Sequence, residues 1–204
     1  MVRRRVSRRS SFLLRLVALV PLLALLGIPL QAQAASTGYP TTGTYHNPLK
    51  PRIPGDGRVE SCADPTVFRG HGSDHYWYMF CTSDPLNDND KNASGQFNFH
   101  HIPMNKSLDL VHWTYVGDAF ANVPSWGEPT AGMWAPEVVY STTYHKYYLF
   151  FVVTDVKDAV SGEANCGGDN AIGMATSDSP TGPWTASSGP VVGPRRAGPG
   201  CNFF

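Results

Sequence analysis

The chain has 204 residues in which 16 Lys and Arg balance 16 Asp and Glu; 42% are hydrophobic and 12% aromatic. The balance is uneven, because the first 34 residues hold six of the basic residues and none of the acidic ones, leaving the rest at a formal charge of −6. An acidic surface without a Lys/Arg cluster excludes nucleic acid and anionic membranes as partners.

Residues 1–34 read as an export signal. Arg3, Arg4, Arg5, Arg8 and Arg9 precede an apolar run from Phe12 to Leu30, which ends at the small-residue site Ala32-Gln33-Ala34. The mature protein is expected to be secreted and free of the membrane after cleavage. The run is long for a signal and also admits an uncleaved anchor, although Arg15, Pro21, Gly27 and Pro29 suit a span poorly. The paired arginines leave both the general and the twin-arginine export routes open.

A lead-in over residues 35–60 is followed by the stretch ESCADPTVF, where Asp64 meets Pro65 at the head of an apolar β-like run. Taken alone, such an aspartate is a turn residue. Onward from Tyr39 no helical period is sustained. Aromatic and β-branched runs take its place at Thr66 to Phe68, Tyr76 to Cys81, Trp113 to Val116, Val138 to Tyr140, Tyr147 to Thr154 and Ile172 to Thr176, separated by Gly, Pro, Asn, Asp and Ser.

Between the first runs lies Asp88 to Gly95, whose oxygen-bearing residues alternate as in a calcium loop. Its sixth position is Ala93 and its twelfth is Phe99, so it reads as a polar surface loop. Of the adjacent His100 and His101, at most one can face a pocket, because neighbouring strand residues point to opposite faces. Asn92-Ala93-Ser94 and Asn105-Lys106-Ser107 fit the glycosylation pattern.

The second half repeats the first at a fixed offset of 71: Pro65 maps to Pro136, Val67 to Val138, Tyr76 to Tyr147, Phe80 to Phe151, and Trp113-Thr114 to Trp184-Thr185. Each copy holds four strand candidates: the run after the proline, the aromatic run, the run before a Ser/Asp turn, and the run from Trp-Thr. Four antiparallel strands per repeat describe a propeller blade. After the leader, 170 residues make about 2.4 such units, whereas closed propellers take at least four. The expected fold is thus all-β, with residues 61–204 an incomplete propeller of about two and a half four-stranded blades that folds poorly alone.

First strands of blades line the axis, so the repeat converges Asp64, Trp134 and Glu137 on one end of it. Two carboxylates with an indole suit a sugar site, where an aromatic face stacks on the ring. The four cysteines, Cys62, Cys81, Cys166 and Cys201, imply disulfides in an exported chain. Three pairings are open. Cys62 with Cys81 and Cys166 with Cys201 is preferred, because each pair closes within one repeat.

The segments HNPL, CADPTVF, KSLDLVHWTYVG, MWAPEVVY, KYYLFF and IGMATSDSPTGPW, in this order from Tyr45 to Phe204, resemble the N-terminal half of glycoside hydrolase family 43. The resemblance implies a five-bladed propeller and inverting hydrolysis of arabinan- or xylan-type polysaccharide. It gives Asp64 the role of general base and Trp134 and Glu137 that of pocket wall, with Asp109, Trp113 and Trp184 structural. The family's pKa-tuning aspartate and its glutamate acid are expected beyond residue 204, as is any calcium site on the axis; no cofactor is assigned. A non-catalytic carbohydrate-binding propeller is the alternative.

Overall fold

A computed structural model describes residues 50–201 and 203. The expected leader and the first part of the lead-in lie outside the described residues. Two four-stranded antiparallel sheets carry the fold, each a meander in which every strand pairs with the next. The first holds β1 (Thr66–Arg69), β2 (Trp77–Phe80), β3 (His101–Ser107) and β4 (Thr114–Phe120). The second holds β5 (Met133–Ser141), β6 (Lys146–Val153), β7 (Ala171–Ser177) and β8 (Thr185–Ala186), with a one-turn helix α1 (Asp158–Ser161) between β6 and β7.

Alternation builds these strands. In β6 the residues Tyr147, Leu149, Phe151 and Val153 are buried, while Tyr148, Phe150 and Val152 between them are half-buried. The buried set meets the first sheet in one core: Phe120 packs on Phe151 with ring centroids 5.0 Å apart, and Trp184 stands edge-on to Phe80 at 5.8 Å. Gly173, opposite Phe151 on β7, leaves room for that ring, because a Cβ there would lie 2.6 Å from it. Trp184 therefore packs between the sheets. Trp113 is also buried, but at the lead-in, where its carbonyl accepts from the Arg52 N–H at 2.8 Å. That segment is anchored by Ile53 and Val59 against Leu86.

The 71-residue offset survives on the second strands, where Tyr78 and Leu149, and Phe80 and Phe151, are all buried. It fails for Val67 and Val138: Val67, opposite Met79, is 46% exposed, whereas Val138, opposite Leu149, is 3% exposed. A bulge is the cause. Ala135 and Pro136 stand unpaired between Trp134↔Val152 and Glu137↔Phe150, which shifts the register by one residue and turns the following side chains over.

Both disulfides take the preferred pairing, Cys62–Cys81 and Cys166–Cys201. After β8 the chain turns back on the second sheet, with Ile172 bridging to Val192. Asn105 is fully buried in β3, so its glycosylation pattern is not an acceptor in the folded chain.

Candidate active site

The sheets meet through their first strands, and each has a strained residue near its start, Asp64 just before β1 and Ala135 inside β5 at the bulge. Asp64 and Ala135 precede Pro65 and Pro136, and both have φ of 45°. A non-glycine residue there costs about 1–2 kcal/mol, which persists only where the surroundings hold it.

The holding group is Thr82. Its hydroxyl donates to Asp64 Oδ2 at 3.2 Å and accepts from the Ala135 N–H at 3.0 Å, while its own N–H donates to Ala63 O at 3.0 Å. Thr82 thereby spans the heads of both first strands. The Cys62–Cys81 disulfide ties together the two segments that carry Asp64 and Thr82. One residue on, the Ser83 N–H donates to Met133 O at 2.9 Å and Ser83 Oγ accepts from the Met133 N–H at 3.3 Å.

Asp64 is exposed, with its carboxylate held from one side by the Thr82 hydroxyl. Trp134 is 49% exposed and lies over Gly132, where a Cβ would meet the indole nitrogen at 2.7 Å. Glu137 Oε2 accepts from Thr66 Oγ1 at 3.0 Å, so its carboxylate links the two sheets. The structure thus joins Asp64 and the Trp134–Ala135 segment through Thr82, and ties Glu137 to the residue after Pro65.

Beside them opens a cleft of about 550 Å³ whose lining includes Ser83, Phe99, His101, Thr130 and Trp134. Asp64 is not part of this lining. Of the two histidines only His101 borders the cleft, and burial holds its imidazole below the usual range, hence neutral near pH 7. His101 Nδ1 is buried with no hydrogen-bond partner among the described residues.

His100 faces elsewhere. Its Nδ1 lies 2.7 Å from Asp118 Oδ2 and its Nε2 2.9 Å from Asp90 Oδ2, with the Tyr115 hydroxyl donating to Asp118 Oδ1 at 2.8 Å. The Asp118 hydrogen bond, reinforced by both carboxylate charges, outweighs burial and raises the His100 pKa. Burial alone would raise Asp90. Hydrogen bonds from the Leu86 N–H and Asn98, together with His100, lower it instead. The polar loop is thus bonded to itself, and Asn92 Oδ1 likewise accepts from the Ser94 and Gln96 N–H groups.

Asp109 is a turn former, accepting from the Val111 and His112 N–H groups at 2.9 and 2.7 Å. Burial opposes its charge, but these bonds and the His112 side chain hold its carboxyl well below the usual range. Sequence reasoning missed Thr82 and Phe99. Neither carries a periodic or motif signal; Thr82 acts across 18 and 53 residues of sequence.

Two adjacent four-stranded antiparallel meanders, with Asp64 and Trp134 joined through Thr82 near their first strands, define an all-β protein of propeller type. The particular family follows from comparison: the model for Glycosyl hydrolases family 43 matches residues 59–193, and the chain belongs to that family. Arabinoxylan arabinofuranohydrolase of Bacillus subtilis (strain 168) is 32% identical over 147 residues, covering 67% of this chain and 26% of that protein. The chain thus spans about a quarter of this curated relative. In fold it is similar to exo-beta-1,3-galactanase from Phanerochaete chrysosporium with galactose, at a TM-score of 0.50 and 17% identity over 75% of this chain and 32% of that one. A structure of the same enzyme with beta-1,3-galactotriose gives a TM-score of 0.50 and 16% identity, covering 72% and 30%.

Proposed function

We propose that this chain is part of a secreted, inverting glycoside hydrolase of arabinan- or xylan-type plant polysaccharide, with Asp64 as general base. The observation that carries the reading is the placement of Asp64. Within the matched family region it stands exposed at the head of β1, in a strained conformation, with its carboxylate oriented by Thr82. A base that activates water must stay ionised and solvent-accessible, and this setting supplies both polarity and access. Inversion further needs an acid about 6.5–9.5 Å away, leaving room for the attacking water. We assign that acid, and the aspartate that tunes it, to further blades of a five-bladed propeller. Support comes from the outer face of the second sheet, where Val139 and Ile172 are 46% and 38% exposed beside half-buried Tyr148 and Phe150, an apolar surface suited to another blade. Trp134 supplies a stacking face for the sugar, and Glu137 holds the pocket wall through Thr66.

The test replaces Asp64 by Asn in the full-length protein and follows hydrolysis of arabino- and xylo-oligosaccharides. Loss of a general base should lower kcat by about 10²–10⁴-fold with circular dichroism unchanged. The anomer first released, read by NMR, should be inverted. Undiminished turnover in Asp64→Asn would remove Asp64 from the chemistry.

A further inference from the structure

The cleft next to Asp64 is built for more than the sugar that the base would act on. Among the described residues its lining holds no Lys, Arg, Asp or Glu, and burial holds the imidazole of His101 below the usual range. Such a wall suits an uncharged ligand and gives a phosphate or carboxylate no partner. Its volume lies within the range of about 300–1,000 Å³ that accommodates ligands larger than a single small ring.

Two large aromatics border the same space and remain wet: Phe99 is 63% exposed and Trp134 49%. Phe99 is presented by a fixed frame. On one side Asn98 Nδ2 and N–H donate to Asp90 Oδ1 and O at 2.9 and 3.0 Å. On the other, the His100 N–H donates to Asp84 O at 3.2 Å and its ring is clamped by Asp90 and Asp118. Ordering the backbone on both sides of an exposed phenyl ring is preorganisation, which lowers the cost of binding rather than of folding. Phe99 also borders a second hollow of about 350 Å³, whose lining includes Phe97, Asp84 and Asp88. The two hollows therefore share one aromatic wall.

We propose that Phe99 and Trp134 form the aromatic walls of an additional subsite that takes a further ring of a neutral oligosaccharide. The substrate chain then runs from the Asp64 end past Phe99 toward the Asp84–Asp88 hollow, whose carboxylates accept hydroxyl protons. This subsite rests on the glycosidase reading for its ligand class, but not for its geometry.

The experiment measures binding and hydrolysis of arabino- and xylo-oligosaccharides of two to five units by the full-length protein, its Phe99→Ala variant and its Phe99→Trp variant. Affinity and kcat/KM should rise with chain length in the unmodified protein. Phe99→Ala should cut the tetrasaccharide-to-disaccharide ratio about tenfold, the size of a lost stacking contact, and Phe99→Trp should keep it. An unchanged ratio in Phe99→Ala overturns the subsite, as does a fall in melting temperature with no change in the ratio, which would mean that Phe99 packs against protein. Length-dependent binding without hydrolysis would keep the subsite and sink the hydrolase assignment. Hydrolysis indifferent to length would do the reverse, and neither binding nor hydrolysis would sink both.

Discussion

His100 sits between Asp90 and Asp118 with its pKa raised above the value of 6.5 that it has when free. A histidine shifted in that direction stabilises the fold fully below its unfolded pKa, and the contribution is lost as pH rises through the folded value. Thermal unfolding of His100→Gln beside the unmodified protein should therefore show a deficit at pH 5.5, about 2 kcal/mol, that shrinks by pH 8.5. A deficit independent of pH would show that the clamp acts through packing and not charge. At this scale the sequence was partly readable. The place of Asp64 before a proline at the head of the first strand was legible, and only one of His100 and His101 borders the cleft, as strand alternation implied. Thr82 was not legible, because a hydroxyl bridging two strand heads is visible only once the sheets are side by side. Phe99 counted in the sequence only as a failed calcium position, since exposure is a property of the fold.

Among the elements, the segments flanking Asp64 and Thr82 are held by Cys62–Cys81, whose Cα atoms lie 5.0 Å apart across 19 residues. Closing a loop of this size stabilises a fold by about 3 kcal/mol. Cys62→Ser combined with Cys81→Ser should lose stability of that order in denaturant titration and, in the full-length protein, weaken the proposed activity beyond the loss of folded protein, because Asp64 and Thr82 are then free to part. Equal activity per folded molecule would separate the disulfide from the site. The strand cores were legible from their aromatic runs. The start of β5 was not: Met133-Trp134-Ala135-Pro136 contains a proline, which argues against a strand interior, and only the bulge lets the ladder run on past it. The same bulge misled the pairing of Val67 with Val138, since the sequence offset is blind to a one-residue change of register.

The whole described body depends on the core between the sheets. Phe151 is 1% exposed and touches Phe120 from the other sheet, so Phe151→Ala should open a cavity at the joint and cost about 3–5 kcal/mol, measured by denaturation. A cost below about 1 kcal/mol would mean that the sheets are stable separately. This level of organisation was the most legible in the sequence, because a repeated unit prints its period along the chain. The joint itself was not, since it needs Trp184 of one sheet against Phe80 of the other. A second contact across the joint is polar. Thr66 and Glu137 each follow the proline of their repeat, yet the bulge sets them in different registers: Thr66 is buried opposite Phe80, Glu137 is exposed opposite Phe150, and the two bond to each other. Two carboxylates at this joint would repel each other, so the sheets are joined here through a difference between the repeats and not through their likeness.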